Sequence, residues 1–340
     1  MKHHEFWHPR LFEAPYYLYL GWQCLRHRIG IRGLARANYA LDHGEIGIGS
    51  KVETQFAFDQ ARFLPTALLQ KEDSTEAKLA KAGDFANEHG YPLILKPDTG
   101  CVGKGIARCD NDRELAATLP AYRGAVIVQA FNDYPVEYGV FYLRANGVSK
   151  ISGMNRKHFP QVTGDGVQTI GQLANKHPRR TDHWNLFLQY LDLNAVPSID
   201  EVVVLSFVGS HTMGCKFTND TIKVTSELAS SIFSICDPQP GFNFGRLDVK
   251  APSKEALLAG DFIVIEVNGV ASLPTHIFDP DLSLRESYSI FLYHARKLAA
   301  IAAEHRHEPM VLASFKEIIR RVSENQEALN SAHQRILGRN

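Results

Sequence analysis

The sequence predicts an α+β protein in which helices alternate with antiparallel strands. Short apolar runs typical of buried strands occur at 91–96 (YPLILK), 125–129 (AVIVQ) and 201–208 (EVVVLSFV). Two further runs, Glu137–Arg144 and Val148–Met154, flank Asn146–Gly147, a dipeptide that strongly indicates a tight β-hairpin. No internal repeat or low-complexity tract is present. Hairpins of this kind favour antiparallel sheets over a parallel βαβ fold.

The remaining elements follow from hydrophobic periodicity and from the residues that start and stop helices. Ser74 is typical of a helix N-cap and Gly90 of a C-terminal stop. Further strands are expected at 105–109, 245–249 and 262–267. Helices are expected at 16–36, 51–63, 74–89, 111–119, 170–175, 226–236, 284–305 and 312–337.

Composition narrows the class of protein. The chain has 340 residues, 44% of them hydrophobic, and its 37 basic residues balance its 37 acidic ones. A neutral chain has no global electrostatic field to attract nucleic acid or an anionic membrane, so neither is expected as a partner.

The five cysteines form no C-x-x-C pair, which disfavours a zinc site and a disulfide framework. The N-terminus lacks the apolar core of a signal peptide, and a cytoplasmic location is expected.

A glycine-rich loop, residues 96–105 (KPDTGCVGKG), lies between two predicted strands. Glycines let backbone N–H groups approach phosphate oxygens closely, and lysines supply positive charge. The order G-x-x-G-x-G differs from both the Walker loop and the dinucleotide fingerprint. The loop therefore indicates either a flexible flap over phosphates or a glycine-rich hairpin without a ligand.

Acidic and amide residues recur on two later strands. Period-two alternation sends Arg246 and Asp248 to one face, and it does the same for Glu266 and Asn268. Two carboxylates and one amide oxygen suit Mg²⁺, which binds few protein oxygens and completes its shell with water and phosphate. The alternative is that these side chains are exposed and form salt bridges with Lys250 and Arg246. An asparagine inside an apolar run needs partners for its amide, which favours the metal site.

Taken together, these motifs resemble the ATP-grasp superfamily. The resemblance is to its carboxylate–amine ligase branch, which includes D-alanine–D-alanine ligases, glutathione synthetases and cyanophycin synthetases, and it runs from about Lys51 to His276. It implies two α/β subdomains whose antiparallel sheets sandwich ATP. The implied division is a reduced N-terminal helical segment (1–50), a subdomain with the phosphate flap (51–131), a subdomain with the metal site (132–282) and C-terminal helices (283–340).

The resemblance also assigns nucleotide-binding residues. Lys51 and Lys96 match the two lysines that bind ATP phosphates, and the loop resembles the flap that covers them. Gln129, Ala130 and Phe131 match the hinge whose backbone pairs with adenine, and Glu137 matches the acid that grips the ribose hydroxyls. The flap residues implied to contact ATP are Gly100, Cys101, Gly103, Lys104 and Gly105.

For the chemistry, the resemblance implies a metal site and a set of cations. Asp248, Glu266 and Asn268 match the ligands of Mg²⁺, for which Mn²⁺ is a substitute. Arg246 is implied to stabilise the transferring phosphoryl group, and Arg156 and Lys157 to reach the γ-phosphate. The residues implied to contact the carboxylate or amine substrate are Arg144, His211, Ser272, Thr275 and His276. The segment 162–170 resembles the V-x-G-D-G-x-x-T-I stretch of cyanophycin synthetase-like proteins.

Some features depart from the family pattern. The usual N-terminal α/β domain is reduced to about 50 residues, and Asp248 and Glu266 are 18 positions apart, which implies an insertion between their strands. His211 stands where cyanophycin-type sequences have an asparagine, so their substrate does not transfer to this chain.

The implied activity is an ATP-dependent ligase that forms an amide through an acyl phosphate, with a small-molecule carboxylate and an amine as substrates. The alternatives are a phosphotransferase that uses the same nucleotide site and a protein that binds ATP without chemistry. The oligomeric state is open, and a homodimer through the helix at 312–337 is one option.

Overall fold

The computed structural model describes residues 4–99 and 103–338, and its regular elements alternate along the chain. The helices are α1 (Pro9–Arg26), α2 (Lys51–Phe56), α3 (Thr75–His89), α4 (Asp112–Thr118), α5 (Ile170–Lys176), α6 (Asn185–Leu188), α7 (Ser226–Cys236), α8 (Lys254–Leu258), α9 (Leu284–Glu304) and α10 (Phe315–Leu337). The strands are β1 (Thr66–Leu69), β2 (Leu93–Pro97), β3 (Ala107–Cys109), β4 (Val126–Ala130), β5 (Val136–Ala145), β6 (Val148–His158), β7 (Gln161–Thr163), β8 (Val202–Val204), β9 (Lys216–Asn219), β10 (Phe244–Ala251) and β11 (Ile263–Asn268).

The mixed α+β prediction is confirmed, and every paired ladder between these strands is antiparallel. The smaller sheet has the order β1-β4-β2-β3, and the larger one has the order β11-β10-β5-β6-β9. Asn146 and Gly147, with φ of 50° and 72°, make the tight turn between β5 and β6. The Ser74 side chain accepts from the Ala77 N–H, and Gly90 follows the end of α3, as the sequence predicts.

Two predicted elements are shorter than expected. The helix that begins at Lys51 ends at Phe56, after which Phe58 and Phe63 turn into the core of the larger sheet. The run 201–208 forms only the short strand Val202–Val204, paired with β7. Its remaining residues leave the strand, and Phe207 and Val208 line the cavity described below.

The larger sheet has one apolar face. Its other face is apolar at one end and charged at the other. Tyr138, Val140, Leu247 and Val249 point to one side, where they pack with α7 in a buried core. On the other side, Phe141 and Phe244 pack against α9. Further along that same side the side chains are charged, so the alternation of the strands separates core from polar groups.

The N-terminal segment packs against α9. Phe12 and Tyr16 of α1 lie against Phe291, with ring centroids 5.8 Å and 4.3 Å apart, and all three rings are buried. These contacts attach α1 to α9, on the side of the larger sheet that carries Phe141 and Phe244.

We expect Phe291→Ala to lower the free energy of unfolding by about 3–5 kcal/mol, because it removes a buried aromatic ring and leaves a cavity. Leu18→Ala, at a side chain on α1 that is 76% exposed, should change stability by less than about 0.5 kcal/mol. Urea unfolding of both variants checks this. Equal effects would mean that the N-terminal segment does not share the core around α9.

Candidate functional site

A cavity of about 630 Å³ lies between the two sheets, and its floor is the charged side of the larger sheet. Strand register sets the arrangement of that floor. Asp248 of β10 stands directly opposite Glu266 of β11, and Arg246 stands opposite Asn268. The predicted alternation is therefore confirmed, and it brings both carboxylates, the amide and the guanidinium to one cavity.

A row of alternating charges continues across the sheet. Lys157 of β6 lies between two carboxylates, with its Nζ 2.7 Å from Glu137 Oε1 and 3.1 Å from Asp248 Oδ2. Arg246 Nε donates to Asp248 Oδ1 at 2.8 Å. Burial alone would raise the pKa of Asp248, but Arg246 and Lys157 outweigh burial and hold that pKa well below its usual range.

A second group of charges joins the two sheets. Lys51 Nζ lies 2.5 Å from Glu266 Oε1, and Lys96 Nζ donates to Gln129 Oε1 at 3.1 Å. Burial would raise the pKa of Glu266, yet Lys51 and Lys96 keep it lowered. Asp98 positions Lys51, because its Oδ1 accepts from the Val52 N–H and its backbone oxygen accepts from the Lys51 N–H.

The donor set fits a magnesium ion. Asp248 and Glu266 supply carboxylate oxygens from adjacent strands, and Asn268, which lines the same cavity, carries an amide oxygen. Oxygen atoms are the ligands that Mg²⁺ takes in proteins. The described part of the chain has no cluster of three His, Cys, Asp or Glu residues that would make a site by themselves. Any metal held here therefore needs water or a ligand to complete its shell.

Comparisons with known proteins agree with this geometry. No protein-family model matches the chain. Over 227 residues, the chain is 26% identical to cyanophycin synthetase from Geminocystis herdmanii, a match that covers 58% of this chain and 25% of the relative. The chain is therefore a distant relative of part of a cyanophycin synthetase, and it spans about a quarter of that protein's length.

Two solved structures resemble parts of this chain. One is a bifunctional glutathione synthetase from Pasteurella multocida, with a TM-score of 0.37, 21% identity and coverage of 72% of this chain and 35% of the other. Another is D-alanine–D-alanine ligase from Bacillus anthracis, with a TM-score of 0.40, 13% identity and coverage of 82% and 69%. Both scores lie below 0.5, so the assignment depends on the sequence relative and the motifs.

The predicted flap lies partly outside the described residues, which include Gly103, Lys104 and Gly105 but not Gly100 or Cys101. Gly103 has φ of 78°, and a Cβ there would lie 3.0 Å from Val208 and 3.1 Å from Met213. Glycine is therefore required where the loop meets the residues that follow β8. Gly103 and Lys104 line the cavity.

The predicted hinge, residues 129–131, differs in detail from the expectation. Gln129 Nε2 donates to Thr66 Oγ1 at 3.0 Å and to the Ile265 backbone oxygen at 3.2 Å, so its side chain bridges the two sheets. The Phe131 N–H donates to Pro92 O at 3.1 Å. A contact from the Phe131 backbone to adenine would therefore use its carbonyl oxygen, and the hinge stays a prediction. The ring of Phe131 and the residue Ala130 do line the cavity.

Glu137 also lines the cavity, but its Oε1 accepts from Lys157 and is covered by Gly209, where a Cβ would collide with that oxygen. A ribose contact from Glu137 would have to use its other oxygen. The position next to Lys157 makes Glu137 part of the charged floor.

Four of the predicted site residues that the structure describes do not line the cavity, and one of them is Gly105, whose N–H donates to His333 Nδ1. Arg144 donates to Asn243 Oδ1 and to the backbone oxygens of residues 237, 239, 240 and 242, so it holds a loop. Arg156 stands opposite Tyr138 in the sheet, and alternation turns it to the apolar side. The ring of His276 packs directly against the backbone of Gly153 on β6, so closely that a Cβ on Gly153 would overlap it. Burial and the neighbouring His294 lower the pKa of His276 well below its usual value, so it is neutral.

The other predicted substrate residues do line the cavity. Ser272 Oγ donates to Gly269 O, and Thr275 Oγ1 donates to Asn155 Oδ1, both at 2.6 Å. His211 stacks on Phe278 with centroids 4.9 Å apart, and its Nε2 lies 3.2 Å from Glu5 Oε2. Asp165 and Thr169 of the cyanophycin-like segment instead make a turn and a helix cap.

Sequence reasoning missed several cavity residues. Glu5 is buried and forms an ion pair with Arg179 at 2.7 Å. No motif in the sequence around Glu5 indicates a site residue. Asn155, buried on β6 two positions before Lys157, does not line the cavity, but it accepts from Thr275, which does, and alternation from Lys157 could have identified it. Glu45 accepts from the Gly269 N–H at 2.9 Å, and its φ of 54° lies in the left-handed region, which sequence does not reveal for a glutamate.

Glu45 should make stability depend on pH. Burial raises its pKa to about 7, because Lys51 and Arg246 offset the desolvation only in part. The folded protein therefore keeps a proton on Glu45 that the unfolded chain loses at lower pH, so stability falls as pH rises through this window. We expect wild-type stability, relative to Glu45→Gln, to fall by roughly 2 kcal/mol between pH 5 and pH 7.

Urea unfolding at both pH values, without nucleotide or divalent metal, measures this difference. Glu53→Gln, at an exposed position on α2, is the control and should follow the wild type. A pH-independent difference between wild type and Glu45→Gln would contradict the assignment.

In the described residues, no helix is long and apolar enough to cross a membrane. Cys24, Cys109, Cys215 and Cys236 are buried.

Proposed function

We propose that the chain is an ATP-dependent carboxylate–amine ligase that works through an acyl phosphate and releases ADP and phosphate. The observation that carries the proposal is the convergence of the R-x-D and E-x-N strands with Lys51 and Lys96 in one cavity. The sequence relative supports the family, while the substrates and the activity of this chain are part of the proposal.

In the proposed reaction, a substrate carboxylate oxygen attacks the γ-phosphorus of ATP, and the bond from that phosphorus to the β-bridging oxygen breaks. The acyl phosphate and ADP result. An amine then attacks the carbonyl carbon, phosphate leaves with the electron pair of its C–O bond, and the amine loses a proton. Phosphoryl transfer depends on positioning and charge neutralisation more than on a strong base.

The chain's own residues supply those two requirements. Lys51 and Lys96 bind phosphate oxygens from the two sides of the cavity. Arg246 and Lys157 neutralise charge that develops on the transferring group, and the carboxylates beside them keep both cations in place. Asp248, Glu266 and Asn268 would hold Mg²⁺, which neutralises phosphate charge when bound.

The nucleotide assignment is tested by Lys96→Ala. This change should weaken binding of a non-hydrolysable ATP analogue by roughly 1–3 kcal/mol, since it removes a buried cation that contacts phosphate. Isothermal titration calorimetry measures the affinity. Lys81→Ala, at a lysine on α3 that is 51% exposed, is the matched control and should bind as the wild type does. Equal affinities for Lys96→Ala and wild type would remove Lys96 from the phosphate site.

The chemistry is tested by ADP release from Mg-ATP in the presence of pooled small carboxylates, with and without pooled amino acids and amines. ADP that appears only with both pools supports the ligase. ADP with carboxylates alone supports the phosphotransferase, and the absence of ADP supports a protein that binds ATP without turning it over on these substrates.

Glu266→Gln is the blank for that assay. It removes a charge with little change in volume and should abolish turnover, while circular dichroism and the urea midpoint show an intact fold. Glu88→Gln, at a carboxylate on α3 that is 75% exposed, should keep full activity. Normal turnover by Glu266→Gln would contradict the metal site.

A further inference from the structure

Lys250 is a cation on the cavity floor that the sequence motifs do not include. It lies on β10 two positions beyond Asp248, so strand alternation turns both side chains to the same face. Lys250 lines the cavity, and only 8% of the residue is exposed. The floor therefore carries a further enclosed cation, on the other side of Asp248 from Arg246.

Lys250 has no ion pair among residues 4–99 and 103–338. Glu137 stands opposite it in the ladder between β10 and β5, but the Glu137 carboxylate is bonded to Lys157. The Lys250 Nζ instead donates to the Asn132 backbone oxygen at 2.8 Å. An ammonium carries three donors and this carbonyl takes one, so Nζ has donors left for an acceptor on a ligand.

The surroundings of Nζ are aromatic. Nζ lies 5.5 Å from the centre of the Phe131 ring and 5.8 Å from that of the Phe159 ring. Phe207 packs edge-on against Phe131, with ring centroids 6.4 Å apart, and Phe131, Asn132 and Phe207 all line the cavity. A ligand group that reaches Nζ meets rings and a carbonyl oxygen, which suit a flat nucleobase better than a phosphate.

Strand geometry separates Lys250 from the groups proposed to hold the phosphates. Steps along β10 place it about 7 Å from Asp248 and about 13 Å from Arg246. Lys51 pairs with Glu266, which stands opposite Asp248. The predicted hinge, residues 129–131, leads directly into Asn132, which Lys250 contacts. A nucleotide with its phosphates at the carboxylates and its base at the hinge would therefore bring the base to Lys250.

Lys250 Nζ and the Asn132 oxygen present a donor beside an acceptor. A carbonyl oxygen has two lone pairs, so the Asn132 oxygen can accept from a ligand as well as from Lys250. Adenine complements this pair, because its N6 amino group donates and the ring nitrogens beside that group, N7 and N1, accept. Guanine has acceptors at both O6 and N7, so its O6 would oppose the carbonyl oxygen.

We propose that Lys250 selects the base of the nucleotide, with its ammonium donating to an adenine ring nitrogen next to the amino group while the Asn132 backbone oxygen accepts from that amino group. The proposal rests on the proposed nucleotide site, and it adds a specificity-determining residue to it.

The test removes the acceptor from the ligand and the donor from the protein. Titration calorimetry with Mg²⁺ measures the affinity of wild type and Lys250→Met for a non-hydrolysable ATP analogue and for its 7-deaza and 1-deaza forms, in which carbon replaces one ring nitrogen. For the wild type, we expect one deaza form to bind about 10- to 100-fold more weakly than the parent analogue, the range for loss of a hydrogen bond to a charged group.

Lys250→Met should bind the parent analogue more weakly by the same factor. It should bind that deaza form as tightly as the parent, because the hydrogen bond is already lost. Lys150→Met is the matched control, at an exposed lysine on β6 of the same sheet and outside the cavity lining, and it should keep the wild-type difference between the ligands.

Equal wild-type affinity for the parent and both deaza forms would overturn the proposal, and this measurement does not depend on the folding of any variant. A difference between parent and deaza form that persists in Lys250→Met would also overturn it. So would an equal loss by Lys250→Met for the ATP analogue and for inorganic tripolyphosphate, since Lys250 would then contact phosphate. Failure of the wild-type protein to bind the parent analogue would overturn the nucleotide site itself, a result distinguishable from the others.

Discussion

The structure depends on neutralising carboxylates that an antiparallel sheet forces together. Asp248 and Glu266 stand opposite each other on neighbouring strands, and both are lined by low-dielectric cavity walls. Two such charges repel strongly when buried, and one of them would take up a proton unless cations lay beside them. Arg246 and Lys157 serve Asp248, and Lys51 serves Glu266. These cations come from three separate regions of the chain, so the charged floor joins those regions together.

Under the proposed function, the same arrangement would prepare the cavity for an anionic ligand. The cations already face the interior, held by carboxylates whose pKa values are lowered. A phosphate that enters finds positive groups in place and does not have to order flexible side chains, which reduces the entropy lost on binding. Fixed charges of this kind are also what phosphoryl transfer requires, because its transition state is stabilised mainly by preorganised electrostatics.

Sequence predicted the parts of the site that depend on local rules. The alternation of β10 and β11 put Arg246, Asp248, Glu266 and Asn268 on one face without knowledge of the partner strands. The prediction that Arg156 reaches the cavity was wrong by the same rule. Its neighbour Lys157 faces the cavity, and adjacent residues of a strand cannot both do so.

The positions of Arg144 and His276 depend on tertiary packing. Arg144 meets five acceptors in residues 237–243, and the ring of His276 lies against the backbone of Gly153, and no local sequence pattern encodes either contact. Glu5 and Glu45 enter the cavity from segments outside the motifs, which is why spacing did not reveal them.

The side chain of Gln129 connects the two sheets, and this connection limits how they can move relative to each other. Its one side chain is bonded to Lys96 and Thr66 on the small-sheet side and to the Ile265 backbone on the large-sheet side. The two sheets are thus tied at a fixed point near the base of the cavity. A widening of the cavity that kept these hydrogen bonds would rotate the sheets about this point, so that displacement would grow with distance from it. The movable rim is then the far one, and the pivot keeps the registration of the lysines and carboxylates while the entrance changes width.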